Sequence, residues 1–142
     1  MQFRGNCALG TVFQNNKSVK TLPDLYKLPN VTSIVSNAFA FCSIEIIVVP
    51  DTFTSLPYVG MRYSNLKYID ISSNVSDIGD QCFNQCTELE TVIVRATTPP
   101  SIRGNTFNGV TSAKFYVPAT AIDAYKADTV WSRYSSRIFA IE

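Results

Sequence analysis

Apolar positions in this chain recur in one phrase. A large apolar residue leads, a short turn follows, and an alternating apolar run closes it. The clearest copy runs from Phe83 through Cys86 and Leu89 to Val92 and Val94. A second runs from Phe39 through Cys42 and Ile44 to Ile47 and Val49. A degraded copy starts at Met61 and a further copy at Phe107. Lead positions 39, 61, 83 and 107 give steps of 22, 22 and 24 residues. A near-constant step of this size predicts stacked repeats, each burying its apolar face against its neighbours. The last two residues of each closing trio are two apart, which is strand spacing, so both face the core. The trios are Ile44, Ile47 and Val49; Leu66, Ile69 and Ile71; Leu89, Val92 and Val94. Polar residues then lead to apolar pairs three apart: Val31 and Ile34, Phe53 and Leu56, Val75 and Ile78. Each unit is therefore a strand, a corner, an apolar return and a compact turn. Connections this short predict parallel strands, about 4.8 Å apart.

The signature Val75-x-x-Ile78-Gly79-x-x-Cys82-Phe83-x-x-Cys86-x-x-Leu89-x-x-Val92-x-Val94 resembles the BspA-type leucine-rich repeat, as does Val31-x-x-Ile34 through Phe39 and Cys42. The unit at Met61 departs from it by lacking the lead Phe and the Cys, and Thr97-Thr98-Pro99-Pro100 replaces a plain corner. The expected fold class is an α/β solenoid, a right-handed coil with a short-stranded parallel sheet and a small helical cap. Residues 1–117 form the expected solenoid, with clear repeats over 30–117 and a frayed match back to about Phe13. Residues 118–142 form the cap. The resemblance implies adhesion or protein binding on secreted or surface proteins of bacteria and some protists, without catalysis.

The cap is read from helical spacing. Thr120 and Asp123 look like a capping box opening a first helix, in which Ile122 and Tyr125 share a face. Thr129 is positioned to cap a second, with Trp131, Tyr134 and Ile138 on one stripe. The start of the chain looks different. Phe3, Leu9 and Val12 read as the tail of a unit, and Met1 to Cys7 lacks the basic flank and apolar stretch of a secretory signal. The expectation is a fragment or mature form whose uncapped first repeat would allow self-association through open strand edges.

Bulk composition narrows the function classes. The net charge is +1 and charged residues make up 16%, so nucleic acid is not an expected partner. Residues 95–142 carry six basic and three acidic side chains, against six and eight before them; this reads as a solvated surface. No apolar stretch reaches the roughly 18–20 residues that span a bilayer. Histidine is absent, which removes Ser-His and Cys-His nucleophile pairs and His metal ligands. Glu88, Glu90, Asp77 and Asp80 read as solvated turn residues, because a catalytic dyad needs a desolvated carboxyl in a cleft. Cys42 and Cys86 share a slot two units apart, about 10 Å on stacking and beyond disulfide reach. Cys82 fills the small-residue slot of Ala38. These read as buried thiols rather than a Cys82–Cys86 bridge or zinc site, and Cys7 has no place in the pattern. Asn16, Asn30 and Asn74 open glycosylation-like triplets that chance readily supplies. No cofactor is expected.

The outward strand positions carry the candidate site. With Val49, Ile71, Val94 and Val117 facing in, Val48, Asp70, Ile93 and Tyr116 face out. The next outward row is Ile46, Tyr68, Thr91 and Lys114. This face has few charges and several apolar or tyrosine side chains, as binding surfaces do. The expected function is recognition of a protein or glycan through it. The alternative is a spacer or capping module of a larger surface or virion protein, its sheet covered or its Ile and Val selected by β-propensity alone.

Overall fold

A computed structural model of the chain describes residues 31–142 and the backbone of two earlier strands, β1 (Cys7–Leu9) and β2 (Thr21–Leu22). The readings of Phe3, Val12, Phe13, the Asn16 and Asn30 triplets and the Cys7 side chain lie outside the described residues, as does the uncapped first repeat.

Six strands form one parallel sheet in the order β10-β9-β8-β6-β4-β2. Its later members are β4 (Ile46–Val48), β6 (Tyr68–Ile71), β8 (Thr91–Val94), β9 (Lys114–Val117) and β10 (Ile138–Ala140). The register pairs Ile47 with Ile69, Ile69 with Val92, Val92 with Phe115, and Phe115 with Ile138. All five are buried. Strand alternation explains this: every second residue faces one side, and a one-residue slip would expose the whole ladder. The apolar returns are themselves strands. β3 (Val31–Ile34) pairs with β1, and β5 (Ser55–Leu56) pairs with β7 (Asp77–Ile78), all parallel. A bridge from Asp77 to Ser101 carries this second ladder one repeat further. The apolar pairs thus mark short strands, a feature too brief for periodicity to separate from a turn.

A third ladder runs through the lead turns. The amides of Phe39, Met61 and Phe83 donate to the carbonyls of Gly60, Cys82 and Thr106 in the following repeat, each at 2.9 Å. Phe41, Tyr63 and Gln85 donate likewise to Arg62, Asn84 and Asn108. These three residues have φ of 58°, 56° and 59°, and the equivalent Gly109 has 82°. A left-handed side-chain-bearing residue costs about 1–2 kcal/mol. The inter-repeat hydrogen bonds and burial of the lead residue offset that cost. Phe39, Met61, Phe83 and Phe107 are all buried, and the Phe83 and Phe107 rings stack at 5.1 Å.

The C-terminal segment closes over Phe107 and Phe115, though not by the expected caps. Residues 119–121 are a 3-10 turn, and α1 (Ile122–Ala127) follows with no side-chain cap from Thr120. Asp128, rather than Thr129, caps the next turn: its Oδ1 accepts from the amides of Val130 and Trp131 at 2.8 and 3.0 Å. Asp accepts more strongly than Thr and sits one residue earlier, where the chain bends after α1. Trp131–Arg137 is a 3-10 helix, and Ile138 belongs to β10 rather than to a helical stripe. Trp131 and Tyr125 are fully buried. Their polar tips are satisfied by donation to the Pro100 and Ala96 carbonyls, each at 2.8 Å. Among the described residues no helix is long and apolar enough to cross a membrane.

Candidate functional site: the outward sheet face

The parallel register sets the outward side chains in two rows. One runs Val48, Asp70, Ile93, Tyr116 and the other Ile46, Tyr68, Thr91, Lys114. Ile46 and Lys114 are exposed; Val48, Tyr68, Thr91, Ile93 and Tyr116 are half-buried. Residues one repeat apart sit side by side, so the half-burial comes from their own row neighbours. β10 lengthens the first row by Phe139, which pairs in register with Tyr116 and is 43% exposed. The Tyr116 and Phe139 rings lie 6.0 Å apart, and the Lys114 ammonium sits 5.9 Å from the Phe139 ring. Shallow grooves of about 380 and 370 Å³ flank Tyr116 on either side.

Asp70 behaves differently from its row. Its side chain is only 12% exposed, because Arg95 covers it with a bidentate pair, Nε to Oδ1 and Nη2 to Oδ2, both at 2.7 Å. The planar guanidinium matches the carboxylate fork, and Asp70 in turn raises the Arg95 pKa. The group presented at this point of the face is therefore Arg95, about half exposed. Burial, and next the Asp70 charge, push the neighbouring Tyr68 phenol up, so it stays a neutral donor.

Sequence reading missed Phe139 and Arg95. Phe139 was hidden because β10 follows a helical stretch with no corner signal. Arg95 was findable: it lies one residue past the inward Val94, on the outward alternation.

The other expected chemistry falls elsewhere. Cys42, Cys82 and Cys86 are buried. The Cys82 thiol lies 3.6 Å from the Met61 sulfur, and the Cys86 thiol donates to the Met61 carbonyl at 3.0 Å. Burial pushes the Cys86 thiol up to about 11 and the Cys82 thiol further, so neither is a nucleophile near neutral pH. Among the described residues no cluster of three His, Cys, Asp or Glu side chains is placed to hold a metal ion. Glu88 and Glu90 are exposed. Asp80 departs from the solvated reading. Asp77 keeps a solvent-exposed carboxylate that pairs with Arg103, and Asp80 turns one carboxylate oxygen inward, with no hydrogen-bond partner among the described residues. The cause for Asp80 is the tight lead turn, whose backbone also accepts from Val59 of the preceding repeat. The Asn74 amide donates to the Asp51 carbonyl at 2.7 Å.

The family model for the BspA type leucine-rich repeat region matches residues 11–126 in 6 copies. The match starts well before the clear repeats and extends into the closing segment. No curated protein matches the chain.

Proposed function

The chain belongs to the BspA-type leucine-rich repeat family, and on that premise we propose that it is a non-enzymatic recognition domain acting at a cell surface. In this reading the repeats coil as a right-handed solenoid, and the outward sheet face binds a protein partner, in adhesion or recognition. One observation carries it: the register gathers Ile46, Val48, Tyr68, Ile93, Tyr116 and Phe139 on one face. Thr91 and Lys114 complete the rows, and the Arg95–Asp70 pair supplies a held charge at their edge. Aromatic and Arg anchors of this kind dominate interface energies. A shallow face suits a protein surface better than a small ligand, which prefers a concave, enclosing pocket. The family is a repeat family of binding modules, which supports recognition over catalysis; fold alone would be a weak warrant.

The test is capture of partners on the immobilised chain, comparing the parent with Tyr68→Ala/Tyr116→Ala. Both tyrosines are half-buried on the outer face, so the variant keeps the inward ladder and folds. The expected result is loss of partner capture, by about 2 kcal/mol or more for a hot-spot pair, with unchanged far-UV CD. Unchanged capture by the folded variant would refute the sheet-face reading.

A further inference from the structure

The corner that departs from the repeat, Thr97-Thr98-Pro99-Pro100, builds one wall of a second cleft. From Val94 to the lead Phe107 the chain spends one residue more than from Ile71 to Phe83. This longer corner faces residues 73–76, just before β7, and Asp128, just after α1. Between them lies a cleft of about 430 Å³ on the return side of the repeats. Its lining includes five hydroxyl-bearing residues, Ser73, Ser76, Thr97, Thr98 and Ser101, together with Asp128. Val75, Ala96 and Pro99 supply apolar lining.

We infer that this cleft is a binding site for a neutral saccharide, separate from the sheet face. The lining chemistry selects the ligand class. No cationic side chain lines the cleft, so a phosphate or carboxylate would meet only Asp128 and be repelled. A cation would find one carboxylate whose Oδ1 is already engaged by the Val130 and Trp131 amides. A sugar fits both parts. Its hydroxyls donate and accept, as Ser and Thr hydroxyls do, and Asp128 Oδ2 accepts only. Among the described residues the hydroxyls of Ser73, Thr97, Thr98 and Ser101 have no hydrogen-bond partner, and Ser76 has one long contact, 3.5 Å to the Thr54 carbonyl.

The walls are held in advance. Trp131 and Tyr125 pin the Pro100 and Ala96 carbonyls, one at each end of the corner. The Ser101 amide donates to Ser76 of the neighbouring return at 2.9 Å. Two adjacent prolines remove most of the remaining freedom. Little ordering remains for a ligand to induce, which is what allows a weak site of hydroxyls and one carboxylate to bind at all.

The experiment is amide NMR of the labelled chain, titrated to about 50 mM with glucose, galactose, mannose, N-acetylglucosamine and their linked dimers. The inference expects saturable shifts at Ser76, Thr97, Thr98, Ser101 and Asp128 for at least one of them. Asp128→Asn keeps an Oδ1 acceptor for the two capping amides and replaces the accepting Oδ2 by a donor. It is expected to weaken binding about ten-fold or more with the fold intact. Thr97→Val, at an exposed position, is expected to weaken it less. Silence of these amides toward every sugar would overturn the inference, as would shifts confined to the sheet face. So would shifts that both variants leave unchanged. Capture of a protein partner through Tyr68 and Tyr116 is read independently of all three.

Discussion

Gly79→Ala tests how closely neighbouring repeats are packed. Gly79 follows β7 and faces the turn of the preceding repeat. A Cβ built there would lie 2.5 Å from the Pro57 carbonyl carbon and 2.5 Å from the Tyr58 nitrogen. Ordinary contact between such atoms is roughly 3.5–4.0 Å, so the two backbones must separate by about 1 Å. Both are backbone, and no flexible side chain can move instead. The separation also strains the Gly79 amide's hydrogen bond to the Leu56 carbonyl, now 2.8 Å, and the Val59 amide's bond to Asp80. Overpacking costs about 1–3 kcal/mol and a weakened hydrogen bond about 0.5–1.5. The smaller entropy of the unfolded Ala chain returns about 0.4–1. The net expectation is a loss of about 2–3 kcal/mol. Urea unfolding followed by circular dichroism reads it as a lower midpoint. Gly104→Ala is the control, since its Cβ meets only the mobile end of Arg133 at 3.2 Å, and it is expected to stay within about 0.5 kcal/mol. A Gly79→Ala midpoint matching that control would refute the close backbone approach and the register that produces it.

Arg95→Ala should cost about 1–2 kcal/mol, because it strips a nearly buried carboxylate of two charge-assisted hydrogen bonds; Asp70→Asn added to it should recover part of the loss, and a double-mutant cycle measures how much. Stability should also fall in alkali. Burial raises the Cys86 thiol from an ordinary 9.0 to about 11, and raises Cys82 and the Tyr125 phenol as well. The folded state therefore keeps protons that the unfolded state has lost. Stability is complete below about pH 9 and declines as pH rises through 9 toward 11, with Tyr125 adding to the decline above 10. Urea midpoints at pH 8, 9, 10 and 11 should show this, and Cys82→Ala/Cys86→Ala should flatten the slope between 9 and 10. An equal slope in the double variant would remove the thiols as its source.

Much of the fold was legible because a repeat states its own periodicity several times. Ile47, Ile69, Val92 and Phe115 could be aligned from spacing alone, and both outward rows followed from alternation. The return strands were less legible, since two residues cannot show a period. The closing segment was misread where local signals competed. Thr129 looked like a cap, yet Asp128 performs it because the chain's bend aims its carboxylate at the two amides. Ile138 fell on a helical stripe, yet β9 offered it an open row of backbone partners, and sheet pairing overrode the helical spacing. The consequence reaches the candidate site, because Phe139 joins the outer face only through β10. Arg95 falls on that face by the same alternation, but its pairing with Asp70 could be seen only in the tertiary structure.

The amino-acid sequence by itself determined the repeat length, the inward ladder and the absence of histidine chemistry. These depend on residue type and spacing, which are local. Tertiary structure alone decided that Arg95 covers Asp70, that β10 extends the sheet, and that Ser76, Thr97 and Asp128 share a cleft. Each of these joins residues more than 20 positions apart, or changes a segment's state through a neighbour, and such pairings exist only once the repeats have stacked.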